Sequence, residues 1–140
     1  MKKGIYTFLE SKGIYYNDTG TTDPYDLLLT IDDAETFLKI AATEHIAIIG
    51  ADVRERKGKD RYVITRNTIG LEWSCECDND SVTDDSYIDR NIKTAEIALC
   101  KIRDIIKENN KHLLKRNKQL FINYVFHDKD MENSTELFNL

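Results

Sequence analysis

The side chains able to carry covalent or metal chemistry are few. The chain holds three cysteines, Cys75, Cys77 and Cys100, and three histidines, His45, His112 and His127. Cys75-Glu76-Cys77 sets two thiols two residues apart, which on a strand places both on one face. As a thiolate, either could act as a nucleophile with His45 or His127 as its base. A small cysteine-dependent enzyme or thiol protein using Cys75 or Cys77 is therefore the alternative reading of function. Structural zinc needs a second pair of ligands at short spacing; no histidine supplies one, so no metal is expected. The odd cysteine count argues against a disulfide framework, and the default role of these thiols is as small buried hydrophobes.

Carboxylates are the other candidates. Asp78-Asn79-Asp80 with Asp84 and Asp85 invites a calcium-loop reading. That loop wants an oxygen ligand at its fifth position, Gly at its sixth and Glu at its twelfth. Counted from Asp78, those positions hold Val82, Thr83 and Asp89, so the template fails. No nucleophile elbow, phosphate loop or dinucleotide fingerprint is present. Ile49-Gly50-Ala51-Asp52 has one glycine and no helix after it, so it is not a phosphate cradle. No cofactor is expected.

Charge is distributed in blocks. The 140 residues carry a net charge of -5. Residues 54–70 sum to +4, 71–96 to -6 with eight acidic and two basic residues, and 97–118 to +5. Such blocks create local fields that steer charged partners. The net acidity argues against a direct nucleic-acid partner, because phosphate contacts need a basic face. The longest apolar run, Ile46-Ala47-Ile48-Ile49, is far short of the ~20 residues of a membrane span. No apolar stretch of signal-peptide length follows Met1-Lys2-Lys3-Gly4. The expected setting is the cytoplasm, with no membrane partner.

The elements that must position these groups follow from periodicity. Residues 5–12 read as a short helix with Ile5, Phe8 and Leu9 on one face and Gly13 at its C-terminal cap. Ile14-Tyr15-Tyr16 reads as a short strand and 17–24 as a loop. Thr30 caps a helix that begins with Asp32 and Asp33 and runs to about Thr43, with Ala34, Phe37, Leu38 and Ala41 inward. Residues 45–53 are nearly all apolar and predict a strand covered on both faces. Residues 61–66 return as its hairpin partner across a charged turn. Residues 69–77 alternate, with Ile69, Leu71, Trp73, Cys75 and Cys77 on one side and Glu72 and Glu76 on the other.

A second helix start at Thr83-Asp84-Asp85-Ser86 leads into a stripe of Ile88, Ile92, Ala95, Leu99, Ile102 and Ile106. That helix reaches about Asn109, long enough to cross a sheet. Residues 120–126 form a last strand, and a loose C-terminal tail follows from about 128. The expected architecture is a single α+β domain over 1–140. One mostly antiparallel sheet of four to five strands carries a long helix and shorter N-terminal helices.

Three segments in order carry a resemblance. Ile48-Ile49-Gly50-Ala51-Asp52-Val53, then Trp73-Ser74-Cys75-Glu76, then Tyr87-Ile88-Asp89-Arg90 with Ala95 resemble immunity protein family forty of bacterial polymorphic toxin systems. The likeness spans roughly the middle half of the chain, from about His45 to Ile106. Ala51 stands where the family tends to have a second glycine, and Gly70-Leu71-Glu72 replaces its more polar approach to the tryptophan. The resemblance implies a non-catalytic inhibitor that binds and neutralises a co-encoded toxin domain in the producer's cytoplasm.

Many toxins of this kind are nucleases with basic clefts, which an acidic surface captures at steered rates. The expected partner surface is Glu72, Glu76, Asp78, Asp80, Asp84 and Asp85. The recurring Gly50, Asp52, Trp73, Tyr87 and Arg90 are read as structural. Asp52 is expected to contact Arg90 or backbone N–H groups, because a buried carboxylate must be paired.

Overall fold

The computed structural model of the chain describes residues 3–16, 25–56, 58–59, 61–64, 73–74, 85–108 and 120–128. In chain order they form α1 (Gly4–Lys12), β1 (Leu29–Thr30), α2 (Ile31–Glu44), β2 (Ala47–Arg56), β3 (Tyr62–Ile64), β4 (Trp73–Ser74), α3 (Asp85–Glu108) and β5 (Leu120–His127). The fold is α+β and its sheet is antiparallel. The body of the sheet is β5, β2 and β3. Two-residue pairings extend it, β1 beside β5 and β4 beside β2. Among the described residues no helix is long and apolar enough to cross a membrane.

β2 is the axis of the molecule. It pairs with β5 along most of its length, with Ala51 opposite Tyr124, Asp52 opposite Asn123 and Val53 opposite Ile122. Alternation along the two strands sends Ala51, Val53, Ile122 and Tyr124 to the face where α3 presents Ala95, Leu99 and Ile102. The stripe read from the sequence is the buried side of that helix: Ile88, Ile92, Ala95, Leu99 and Ile102 are all inside. Ile106 is a side chain outside those described.

α2 lies antiparallel to α3. His45 at its C-terminal end is 3.8 Å from Asp85 at the start of α3. Arg103 of α3 meets Asp32 at 2.9 Å and Glu35 at 3.2 Å near the start of α2. The Phe37 ring of α2 stacks on Tyr124 of β5 at 5.2 Å with an interplanar angle of 4°.

Local signals explain the helix ends. Thr30 accepts the Asp33 N–H at 3.2 Å and caps α2, a bond typically worth about 1 kcal/mol. α1 has no side-chain cap from its own Lys3. Instead the Glu44 carboxylate accepts the Gly4 and Ile5 N–H groups, each at 2.8 Å, a charge-assisted contact at the positive end of the helix. The segment is tied again at Asp128, which accepts from Lys3 Nζ at 2.7 Å and Tyr6 Oη at 2.9 Å. Asp128 is buried, so the chain is fixed up to the point where the loose tail was expected to begin. That tail lies outside the described residues.

Three expectations are corrected. His45 does not open the strand. It closes α2 in the left-handed region at φ 55°, and β2 runs from Ala47 to Arg56 instead. Gly13 is the C-cap of α1, as read from the sequence, with φ -67° and its N–H bonded to Leu9 O at 2.8 Å. Glycine is required there by close approach, since a Cβ would stand 2.5 Å from both Leu9 O and Leu27 Cδ1. β2 is covered on both faces from Ala47 to Gly50 but not beyond, where Asp52 is exposed. Of the alternating segment 69–77, only Trp73–Ser74 lies within the described residues. Ile14-Tyr15-Tyr16 contributes one bridge, Ile14 to Leu28, rather than a strand.

Candidate functional site

The face of the sheet turned away from α3 is polar and aromatic. Asp52 and Arg54 project there from β2, and Phe121, Asn123 and Val125 project from β5, by the same alternation that sends their neighbours to the helices. Tyr16, Leu28, Tyr62 and Phe121 form a small buried cluster over one part of it, with Ile14 packed alongside. Tyr62 meets Phe121 edge-on at 5.3 Å and Tyr16 at 6.3 Å.

A hydrogen-bond chain runs through this cluster. Asn123 is only 3% exposed; its Nδ2 donates to Asp26 Oδ1 at 2.6 Å and to Leu27 O at 3.0 Å. Asp26 Oδ1 also accepts from Tyr16 Oη at 3.2 Å. Arg54 lies over the Tyr16 ring, 4.8 Å from its centroid, and its Nη1 donates to Tyr62 O at 3.1 Å. Burial, followed by the Asp26 carboxylate, pushes the Tyr16 phenol up to about 12; Arg54 opposes this and Asp52 adds to it.

Asp52 stands at the edge of the network without joining it. Among the described residues its carboxylate makes no hydrogen bond or ion pair. Arg54, two residues on, is turned to the Tyr16 ring and the Tyr62 carbonyl. Asn123, directly across, is turned to Asp26 and Leu27. The expected contact with Arg90 is absent, for a topological reason. Arg90 belongs to α3, which covers the opposite face of the sheet, and its Nε lies 3.4 Å from Ser86 O in its own helix.

The motif residues are thus divided. Gly50 and Asp52 face away from the helices. Tyr87 packs half-buried against the main core, and Arg90 is exposed on α3. Trp73 pairs through its backbone with Ala51, and Ser74 with Gly50.

Of the six residues expected to meet a partner, Asp85 is described. It occupies the first turn of α3, where acids favour the helix dipole, and its side chain is 77% exposed. Glu72, Glu76, Asp78, Asp80 and Asp84 lie outside the described residues, as do Cys75, Cys77 and His112. Their connection to the fold is nonetheless set at both ends. Residues 75–84 leave from Ser74, which pairs with Gly50, and re-enter at Asp85 beside His45. Both anchors belong to the end of the molecule where β2 begins.

β3 and β4 share one edge of β2, but they are not one strand. Ile64 pairs with Arg54, so an unbroken strand would bring Asn67 opposite Ala51; Trp73 stands there, six residues later. The register between the two pairings differs by six residues, and residues 65–72 between them lie outside the described residues.

Cys100 is a free, exposed thiol on α3. Among the described residues no group of three or more His, Cys, Asp or Glu could hold a metal ion. Sequence reading missed the Tyr16–Asp26–Asn123 chain and the Arg54–Tyr16 contact. Each joins residues far apart in the sequence, and none of them sits in a spacing motif. The one available signal was period-two alternation in Asp52-Val53-Arg54 and Phe121-Ile122-Asn123, which marks a second face but not its contents. Comparison with protein-family models, with curated proteins and with solved structures finds no match.

Proposed function

We propose that the chain is a non-catalytic immunity protein. It binds a cognate bacterial toxin domain, of nuclease type, in the cytoplasm of the producing cell and neutralises it through an acidic surface. The observation that carries this reading is the anchoring of the acidic block. Its two ends are tied to the fold at Ser74 and Asp85, on one end of β2, and Asp85 is displayed to solvent. Residues 72–85 carry six carboxylates, and the described residues that flank 75–84 are Ser74, paired with Gly50, and Asp85, beside His45. At the opposite end, the β2–β3 hairpin carries the exposed bases Arg56, Lys59 and Arg61. A charge distribution separated in this way orients an approaching basic partner and raises its association rate.

The segments Ile48–Val53, Trp73–Glu76 and Tyr87–Arg90, which resemble immunity protein family forty, point to the same reading. Co-expression tests it. The toxin domain encoded in the neighbouring open reading frame arrests growth when produced alone, and this chain restores growth when produced with it. Unrestored growth at equal soluble expression overturns the proposal.

A further inference from the structure

We infer that Asp52, with Val125, forms a docking point for a basic side chain of the partner protein. The inference rests on the proposed function and names one contact within it.

Sequence reasoning makes Asp52 a scaffold residue, but the structure gives it none of a scaffold residue's contacts. It is exposed on the face of the central strand turned away from α3, and among the described residues the two neighbours able to neutralise or hydrogen-bond it are both turned elsewhere. Arg54 lies over Tyr16 and donates to Tyr62 O. Asn123 donates to Asp26 and Leu27 O. A carboxylate held on a rigid strand, with its cross-strand neighbour locked, is pre-organised for a ligand: little ordering remains to oppose binding.

Beside it stands an exposed apolar side chain. Gly50 and Val125 are direct cross-strand partners, and Val125 is 47% exposed. Val125 is the diagonal neighbour of Asp52, a separation of roughly 7–8 Å in antiparallel sheets. An amphipathic chain with an apolar stem and a cationic head fits this pairing of an exposed valine and an exposed carboxylate. A lysine or arginine of the partner is that group. Ser74, after which the acidic segment follows in the chain, pairs with Gly50, two residues before Asp52.

Two arms test the inference. In the first, binding of the toxin domain is measured by calorimetry for the parent, Asp52→Asn and Val125→Lys. Each variant is expected to weaken binding about 10-fold or more, the range of a lost close charge pair, with an unchanged thermal midpoint. Parent-like affinity in both variants overturns the inference while leaving toxin binding intact; no binding by the parent overturns the proposed function instead. In the second arm, oligolysine is titrated into the labelled protein and amide shifts are followed by NMR. Saturating shifts at Gly50, Asp52, Asn123 and Val125 that vanish in Asp52→Asn are expected. Their absence in the parent, or their persistence in Asp52→Asn, overturns the docking point whatever the toxin arm gives.

Discussion

On the α3 side of β2, Ala51 and Val53 meet Ala95, Leu99 and Ile102, and Phe37 stacks on Tyr124. On the other side, Arg54 lies over Tyr16, Asn123 bonds Asp26, and Asp52 stands exposed beside them. One strand thus serves two environments with alternate residues. The helix side gains its stability from area removed from water, which is tolerant of direction. The far side depends on directional bonds, in which a missing partner is costly. The first is suited to holding the fold together, and the second to presenting fixed polar groups.

The largest effect separating the two faces is expected at Phe37. The ring is fully buried, and Phe37→Ala should lower unfolding free energy by about 3–5 kcal/mol, the usual range for a deleted core ring. Urea denaturation reads it. A loss below about 1 kcal/mol, the cost of an ordinary surface change, would place the core elsewhere.

Asn123→Ala should cost less. It removes a donor from Asp26 Oδ1 and from Leu27 O, leaving acceptors short of partners for a loss of about 1–3 kcal/mol. The same denaturation series checks it, and an unchanged midpoint would mean that water replaces the amide freely.

A third test uses alkaline pH. The Tyr16 phenol is raised from 10.0 to about 12 in the fold, so the folded state favours its neutral form. That contribution is fully present below pH 10 and is lost as pH rises through the folded value near 12. Burial raises Tyr124 as well, extending the loss further into alkali. Stability measured against pH should fall more gently over this window in Tyr16→Phe than in the parent. Parallel curves would contradict the assignment to Tyr16.

The smallest expected effect is at Asp52. Asp52→Asn should leave the thermal midpoint unchanged, because no intramolecular bond of that carboxylate is lost among the described residues. A clear drop would return Asp52 to the scaffold.

Local patterns made much of the helix side legible. Thr30 with Asp32 and Asp33 marked the start of α2, and the four-and-three spacing from Ile88 to Ile102 marked the inner stripe of α3, because caps and periodicity are encoded within a few residues. The far side was not legible. Nothing near Asn123 in the sequence announces Asp26, ninety-seven residues away, and Arg90 lies close enough in charge logic to Asp52 to invite a pairing that the sheet itself blocks. His45 was assigned to the strand because its neighbours are apolar; only the geometry of the α2–β2 junction shows it in the left-handed region. Lys3, Glu44 and Asp128 fix α1 from three separate parts of the chain, a clasp no window of sequence contains.

The account's central claim is that the acidic end of this fold captures a basic toxin surface. Stopped-flow association of the toxin domain with the parent and with a variant carrying Asp78→Lys and Asp80→Lys tests it most directly. The account predicts an association rate that falls as salt is added, and a variant whose association is slowed far more than its dissociation is quickened. Equal association rates for parent and variant, unmoved by salt, would contradict it.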